Sequence, residues 1–327
     1  MLDTNALIER GMQTLGDTRP SDPVQKIGVI VLTLLVVATV VCQGLRFLKP
    51  QLKLDEVWIK IRSWWIMAPA FYLLVGYGGV FSYWFIGLIC YISLKEYYTL
   101  IPTIHADRGA LAWSYAVIPI HFYWIHLQWF AMFAIFIPVY LFLFLPVRQI
   151  LAGEVRDFVA RTGRIFWGLL LFVYCLSHMA YFLTLGPSID PNITGKELLL
   201  YLVFLTEMND IAAFINGKLF GRHKIAPAVS PNKTWEGFIG GVTCTTILAV
   251  LVRFLTPFSL GQAIFVGAGL GVAGLFGDLC VSAVKRDVGV KDSSEFIPGH
   301  GGILDRVDSL TYTAPVFLHF VRYYCYI

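Results

Sequence analysis

GQAIFVGAGLGVAGLFGDLCVSAVKRD, residues 261–287, runs from Ala263 to Gly277 without a polar side chain and then admits Asp278, Ser282 and Lys285. Gly267, Gly271, Gly274, Asp278, Ser282 and Lys285 are spaced by four, three, four, four and three. On a helix those positions share one face. The face begins with glycines, which admit a close neighbour, and ends in charge. An unpaired carboxylate at membrane depth costs several kcal/mol. Asp278 therefore pairs with Lys285, sits in interfacial water, or ligates a hard cation. The last is favoured because a second acidic cluster, Asp305 and Asp308, follows closely in GHGGILDRVD.

The rest of the chain shares the apolar character of this stretch. Of its 327 residues, 57% are hydrophobic and 14% charged, where a soluble domain carries about a quarter charged residues. Repeated apolar runs near 20 residues satisfy their backbone in lipid as helices. The expected fold class is all-α, a polytopic integral membrane protein with about ten transmembrane helices. The segments are 27–45, 64–78, 79–94, 111–127, 129–146, 165–185, 197–217, 236–256, 262–282 and 307–324. The second and third are short and separated by Gly76, Gly78 and Gly79, so a re-entrant pair is an alternative there. The run from Ile27 to Cys42 follows too long a lead for a signal peptide and is read as a retained helix. With no targeting segment, a bacterial inner (cytoplasmic) membrane is expected.

The loops 46–63, 95–110, 147–164, 218–235 and 283–306 hold 19 of the 25 Lys and Arg. Positive loops face the cytosol, so both termini are expected outside. The net charge of +4 forms no basic patch with interleaved aromatics, and no nucleic acid is expected. None of the six cysteines forms a CxxC pair, and they read as small buried hydrophobes. His121 and His126, five apart, are poorly spaced for a shared metal and read as interfacial hydrogen-bonding residues. Residues 1–200 read as scaffold helices with a lipid groove, and 201–327 as a catalytic membrane region with cytosolic loops 218–235 and 283–306.

Two polar clusters on the cytosolic side carry chemistry. In 283–306, Pro298, Gly299, Gly301 and Gly302 can turn sharply and expose backbone N–H groups that bind anions. Lys285, Arg286, Lys291, His300 and Arg306 surround them with positive charge. Carboxylates beside cations and free amides suit a Mg²⁺–triphosphate. In the other cluster Glu207, Asn209 and Asp210 interrupt an apolar helix, and Asp210 and Lys218 share a face. The loop SPNKTWEG, Ser230 to Gly237, follows. Its Thr234 can cap the next helix, with Glu236 in the first turn. Ser230, Asn232 and Lys233 are left to hold phosphate or base.

SAVKRDVGVKDSSEFIPGHGGILDRVD, Ser282 to Asp308, resembles the signature of the phosphatidate cytidylyltransferases, or CDP-diacylglycerol synthases. NDIAAFINGKLFG and SPNKTWEG resemble that family's upstream blocks, and together these cover roughly 206–313. The resemblance implies a membrane enzyme that joins CTP and phosphatidate, with Mg²⁺, to give CDP-diacylglycerol and pyrophosphate. It makes Asp278 and Asp305 metal-binding carboxylates, with Asp308 a further ligand or an orienter of Arg306. Lys285, Arg286 and Lys291 fall near the phosphates, and Ser230, Asn232 and Lys233 in the nucleotide or lipid-phosphate pocket. The substrate-binding set is completed by Asp210, Lys218, Thr234, Ser282, His300, Gly301, Gly302 and Arg306. CTP, phosphatidate and membrane lipid are the expected partners, and a homodimer is admitted. The rival readings are a cytidylyltransferase for another lipid phosphate and an ion or solute transporter with Asp210 and Asp278 on its path.

Overall fold

The computed structural model describes residues 21–49, 51, 54–77, 79–186, 190–191, 193–294 and 301–326. It is almost entirely helical: α1 (Asp22–Leu48), α2 (Asp55–Tyr77), α3 (Val80–Leu100), α4 (Arg108–His126), α5 (Phe130–Ile150), α6 (Phe158–Phe182), α7 (Gly195–Phe220), α8 (Trp235–Leu251), α9 (Leu260–Asp287), a short α10 (Leu304–Val307) and α11 (Leu310–Cys325). Each of the ten sequence segments overlaps one helix. Five of them, α1, α5, α6, α7 and α9, are long and apolar enough to cross a membrane by length and composition. Large apolar side chains such as Ile66, Phe81 and Phe265 stand exposed on the surface, as suits a lipid solvent rather than water. The chain is an integral membrane protein.

The two segments of the re-entrant alternative form two separate helices. α2 has 23 residues and α3 has 21, each about 30 Å long at 1.5 Å per residue, and Gly79 at φ 50° turns the chain between them. One departure from an all-helical chain is a small antiparallel hairpin, β1 (Lys224–Ala226) with β2 (Ser230–Thr234), pairing Lys224 with Thr234 and Ala226 with Ser230. SPNKTWEG is thus strand running directly into helix rather than loop.

Helix starts follow their local sequence. Thr194 and Ser259 make capping boxes for α7 and α9 with Glu197 and Gln262. Thr234 caps α8, its Oγ1 accepting from Gly237 N at 3.1 Å, which satisfies one of the amides a helix start leaves open. The Pro138 region of α5 and Leu170–Cys175 of α6 widen into π-helical turns, and at Pro138 the missing N–H gives a direct cause.

The glycine face of α9 packs as its spacing predicts. A Cβ on Gly267 would lie 2.7 Å from Ala249 Cβ and 2.8 Å from Thr246 Cα of α8. On α8, a Cβ at Gly237 would lie 2.7 Å from the Ala213 carbonyl oxygen of α7. Only glycine allows these helices to approach so closely. Position 200 falls inside α7, and one apolar core runs from Val24 to Cys325 through both halves. His121 hydrogen-bonds as expected, but within the protein: it is wholly buried, stacked on Phe133 with Nε2 2.9 Å from Ser177 Oγ.

Candidate active site

Residues from α7, the hairpin, α9 and the α10–α11 junction meet around Lys233. Strand β2 delivers this lysine from one residue before the Thr234 cap, and its ammonium pairs with the Asp278 carboxylate of α9. Asp210 of α7 and Asp308 at the junction act on the same ammonium. Burial penalises the Lys233 charge, but these carboxylates outweigh it and raise the pKa above the ordinary lysine value. Lys233 is therefore a cation at neutral pH.

The carboxylates are held in turn by hydroxyls and amides. Ser282, one turn along α9, donates to Asp278 Oδ1 at 3.0 Å. Ser309 Oγ donates to Asp210 Oδ2 at 3.0 Å, and Ser309 N donates to Asp308 Oδ1 at 2.7 Å. Arg306 acts on Glu207, Asp210 and Asp308, while its buried Nε has no hydrogen-bond partner among the described residues. Behind this cluster Asn209 ties three helices. Its Oδ1 accepts from Thr245 of α8 at 3.1 Å, and its Nδ2 makes a long 3.5 Å contact to the Gly271 carbonyl of α9. Cβ atoms at Gly271 and Gly274 would sit 3.3 and 3.2 Å from that amide, so the α9 glycines make room for a polar side chain as well as for a helix.

Of the three alternatives for Asp278, pairing with Lys285 does not occur. Lys285 Nζ instead donates to Asp305 Oδ1 at 2.7 Å, with both side chains nearly inaccessible. Asp305 Oδ2 accepts from Ser293 N and Ser293 Oγ, each at 2.8 Å, and from Gly302 N at 3.0 Å. Burial opposes the Asp305 charge, yet Lys285 and the two amides prevail and hold its pKa below the ordinary aspartate value. Oδ2 is thus crowded by three donors, while Oδ1 accepts from Lys285 alone among the described residues.

Glu96 was not singled out by sequence reasoning. It follows Lys95 after the apolar run of α3 and is buried against the segment that carries Asp305. Ser294 Oγ and Ile303 N donate to its Oε1 at 2.9 and 3.2 Å, and Leu304 N donates to Oε2 at 2.8 Å. The signal for it was a Lys95–Glu96 pair directly after a long apolar run, outside the motif region.

Other sequence candidates stand apart from the cluster. The Lys218 ammonium lies over the Phe214 ring, 5.5 Å from its centroid. Arg286 is exposed and donates to the carbonyls of Val229 and Val290 at 3.1 and 2.9 Å, fastening α9 to the hairpin turn. Lys291 and Asn232 are exposed, and Ser230 takes part in hairpin pairing. Gly301 has φ 75°. His300 lies outside the described residues. Among the described residues, no three His, Cys, Asp or Glu side chains form a group ready to hold a metal ion.

Half-buried carboxylates thus meet around one lysine in a helical membrane protein. A cytidylyltransferase family model matches residues 58–324. The chain belongs to the cytidylyltransferase family and is a nucleotidyltransferase. It is 43% identical over 295 residues to the uncharacterized protein YnbB of Escherichia coli K12, covering 90% of this chain and 96% of that protein. Phosphatidate cytidylyltransferases of Staphylococcus haemolyticus and Haemophilus influenzae are 44% identical over 124 residues and 43% over 132. Those matches take in 37% and 38% of this chain, and the chain spans about half of each enzyme, 48% and 46%.

Proposed function

We propose that this protein transfers the cytidylyl group of CTP to phosphatidate, giving CDP-diacylglycerol and pyrophosphate, with its site facing the cytosol at the end of about ten membrane helices. The observation that carries the reading is the convergence of Asp210, Lys233, Asp278 and Asp308 from four segments of a cytidylyltransferase-family chain. The reaction asks for little covalent help. An oxygen of the phosphatidate phosphate, already an anion, attacks the α-phosphorus of CTP. The bond from that phosphorus to the bridging oxygen breaks, and pyrophosphate leaves with the electron pair. Catalysis then rests on aligning two anions and neutralising charge.

The donor set suits a hard cation, because Asp278, Asp308 and Asp210 offer only oxygen and already surround one positive charge. These three would have to draw together to hold Mg²⁺, since among the described residues no three carboxylates form a ready group; Asp305, whose Oδ1 accepts from Lys285 alone among the described residues, is a further ligand candidate. When bound, Mg²⁺ screens the triphosphate and stabilises the departing pyrophosphate. Lys233, charged at neutral pH, is placed to donate to a phosphate oxygen. Lys285, held by Asp305, and the buried Arg306 supply the remaining positive field. Diacyl tails would stay in the bilayer while the headgroup meets CTP at the interface.

A different lipid phosphate as acceptor is the second reading. It is favoured by one observation: the Staphylococcus haemolyticus and Haemophilus influenzae phosphatidate cytidylyltransferases match less than half of this chain, whereas YnbB, matched over 90% of it, carries no named substrate. Pyrophosphate release by purified protein given CTP, Mg²⁺ and phosphatidate tests both, with ATP and lipid-free controls. Release that needs CTP and phosphatidate together is the expected result. CTP binding with no release from phosphatidate would move the assignment to another lipid phosphate. Folded protein that binds no CTP would overturn the reading.

A further inference from the structure

We propose that Glu96 of α3 is a positioning residue for the transfer reaction, fixing the segment that holds Asp305 and through it the Lys285 ammonium. This rests on the cytidylyltransfer reading of the site. Glu96 contacts both ends of that segment. Ser293 and Ser294 approach from its beginning, Ser293 Oγ at 3.2 Å and Ser294 Oγ at 2.9 Å. The amides of Ile303 and Leu304 donate from its end. One carboxylate from α3 thus ties both described ends of the segment to the bundle, beside the link that Asp305 makes between Ser293 and Gly302.

Ser293 makes the link to the site direct. Its hydroxyl lies 2.8 Å from Asp305 Oδ2 and 3.2 Å from Glu96 Oε2. A hydroxyl has one proton to donate, and the shorter contact assigns it to Asp305. Glu96 is then satisfied by Ser294 and the two amides, and Asp305 by Ser293, Gly302 and Lys285. The two carboxylates are packed back to back, each anchoring a different part of one turn. Gly302 shows how closely they fit: a Cβ there would fall inside the contact shells of Glu96 Oε2 and Ser293 Oγ. A glycine that reads in the sequence as part of an anion-binding turn is required here by a glutamate some 200 positions earlier.

Glu96 touches no group placed at the reacting phosphates, so its loss should misplace Lys285 rather than remove a substrate contact. Glu96→Gln keeps the shape but turns one acceptor into a donor facing donors. The test measures steady-state kinetics of Glu96→Gln and Glu96→Asp, with hydrogen exchange of the 301–306 backbone and CTP binding in the same preparations. The expected result is a kcat loss of roughly tenfold to a hundredfold in Glu96→Gln, as small misplacements cause. The KM for CTP should stay within about twofold of wild type on the same argument. Glu96→Asp should recover part of kcat, and exchange at Ile303 and Leu304 should speed up only in Glu96→Gln. Unchanged kcat in Glu96→Gln overturns the proposal. So does a joint loss of kcat, CTP binding and melting temperature that Glu96→Asp does not relieve, since that marks mere support of the fold. If the wild type itself turns over no CTP, the functional reading has failed, and exchange at 301–306 still decides whether Glu96 fixes this segment.

Discussion

Lys233 and Asp278 are the pair on which the site turns, and each should fail in its own way. Asp278→Asn leaves a side chain of the same size that no longer balances Lys233 or offers a charged oxygen to a cation. Turnover should fall by about a hundredfold or more, the range seen when one electrostatic stabiliser is lost, and added Mg²⁺ should not restore it. Lys233→Met should lower turnover comparably while leaving the protein folded, because the apolar stem is kept. Product formation at several Mg²⁺ concentrations checks both. Asp305 differs, since its partners are all protein groups. Its pKa lies below the ordinary value, so the stability it contributes is fully present above the unfolded-state pKa and is lost as pH falls through the lower folded value. Melting temperature followed downward from about pH 6 should drop below pH ~4, the ordinary aspartate range. Asp305→Asn should flatten that drop and cost roughly 3 kcal/mol at neutral pH by leaving Lys285 unpaired in a buried place. A variant as stable as wild type at neutral pH would refute the anchoring role.

Among the elements, the α8–α9 contact is decided by which glycines face a neighbour. Gly267 and Gly269 lie on the same helix, yet a Cβ on Gly267 would strike α8 and one on Gly269 would meet nothing within 4 Å. Gly267→Ala should destabilise by about 1–3 kcal/mol, the usual cost of overpacking. Gly269→Ala should be neutral or slightly stabilising, because alanine restricts the unfolded chain and favours helix. Denaturant unfolding in detergent separates the two. The same logic accounts for what periodicity missed. The β1–β2 hairpin is eleven residues of mixed, proline-containing chain with no sustained apolar alternation, and its pairing is sealed by the Trp235 N–H donating to the His223 carbonyl at 2.9 Å. Away from the site, Arg161 and Asp107 form a second buried pair, Nε to Oδ1 at 2.9 Å, which Gln149 joins at 3.1 Å. These residues fasten α5 and α6 at the start of α4, and nothing in their sequence spacing brings them together.

For the whole molecule, orientation is the testable consequence. Cysteine placed at exposed Lys224, in the hairpin, should react with a membrane-impermeant maleimide only from the cytosolic side. Cysteine at exposed Gly261, in the first turn of α9, should react only from the opposite side, against the wild-type background. Labelling of both from one face would overturn the alternation of spans. Composition and charge placement, read along the chain, are enough for a helical membrane protein and for the family, because both depend on local properties: apolar runs, and a contiguous block of motif residues. The spacing of Gly267, Gly271, Gly274 and Asp278 likewise fixes one face of one helix. The pairing of charges is another matter. Reading i to i+7 along α9 offers Lys285 to Asp278, but the fold gives Asp278 to Lys233 and Lys285 to Asp305, and it brings Glu96 across from the N-terminal half. A charge buried at a helix end takes the nearest opposite charge in space. Distance along the chain sets that neighbour only within a turn or two, so the partners of the site had to wait for the packing of α3, α7, α9 and the hairpin.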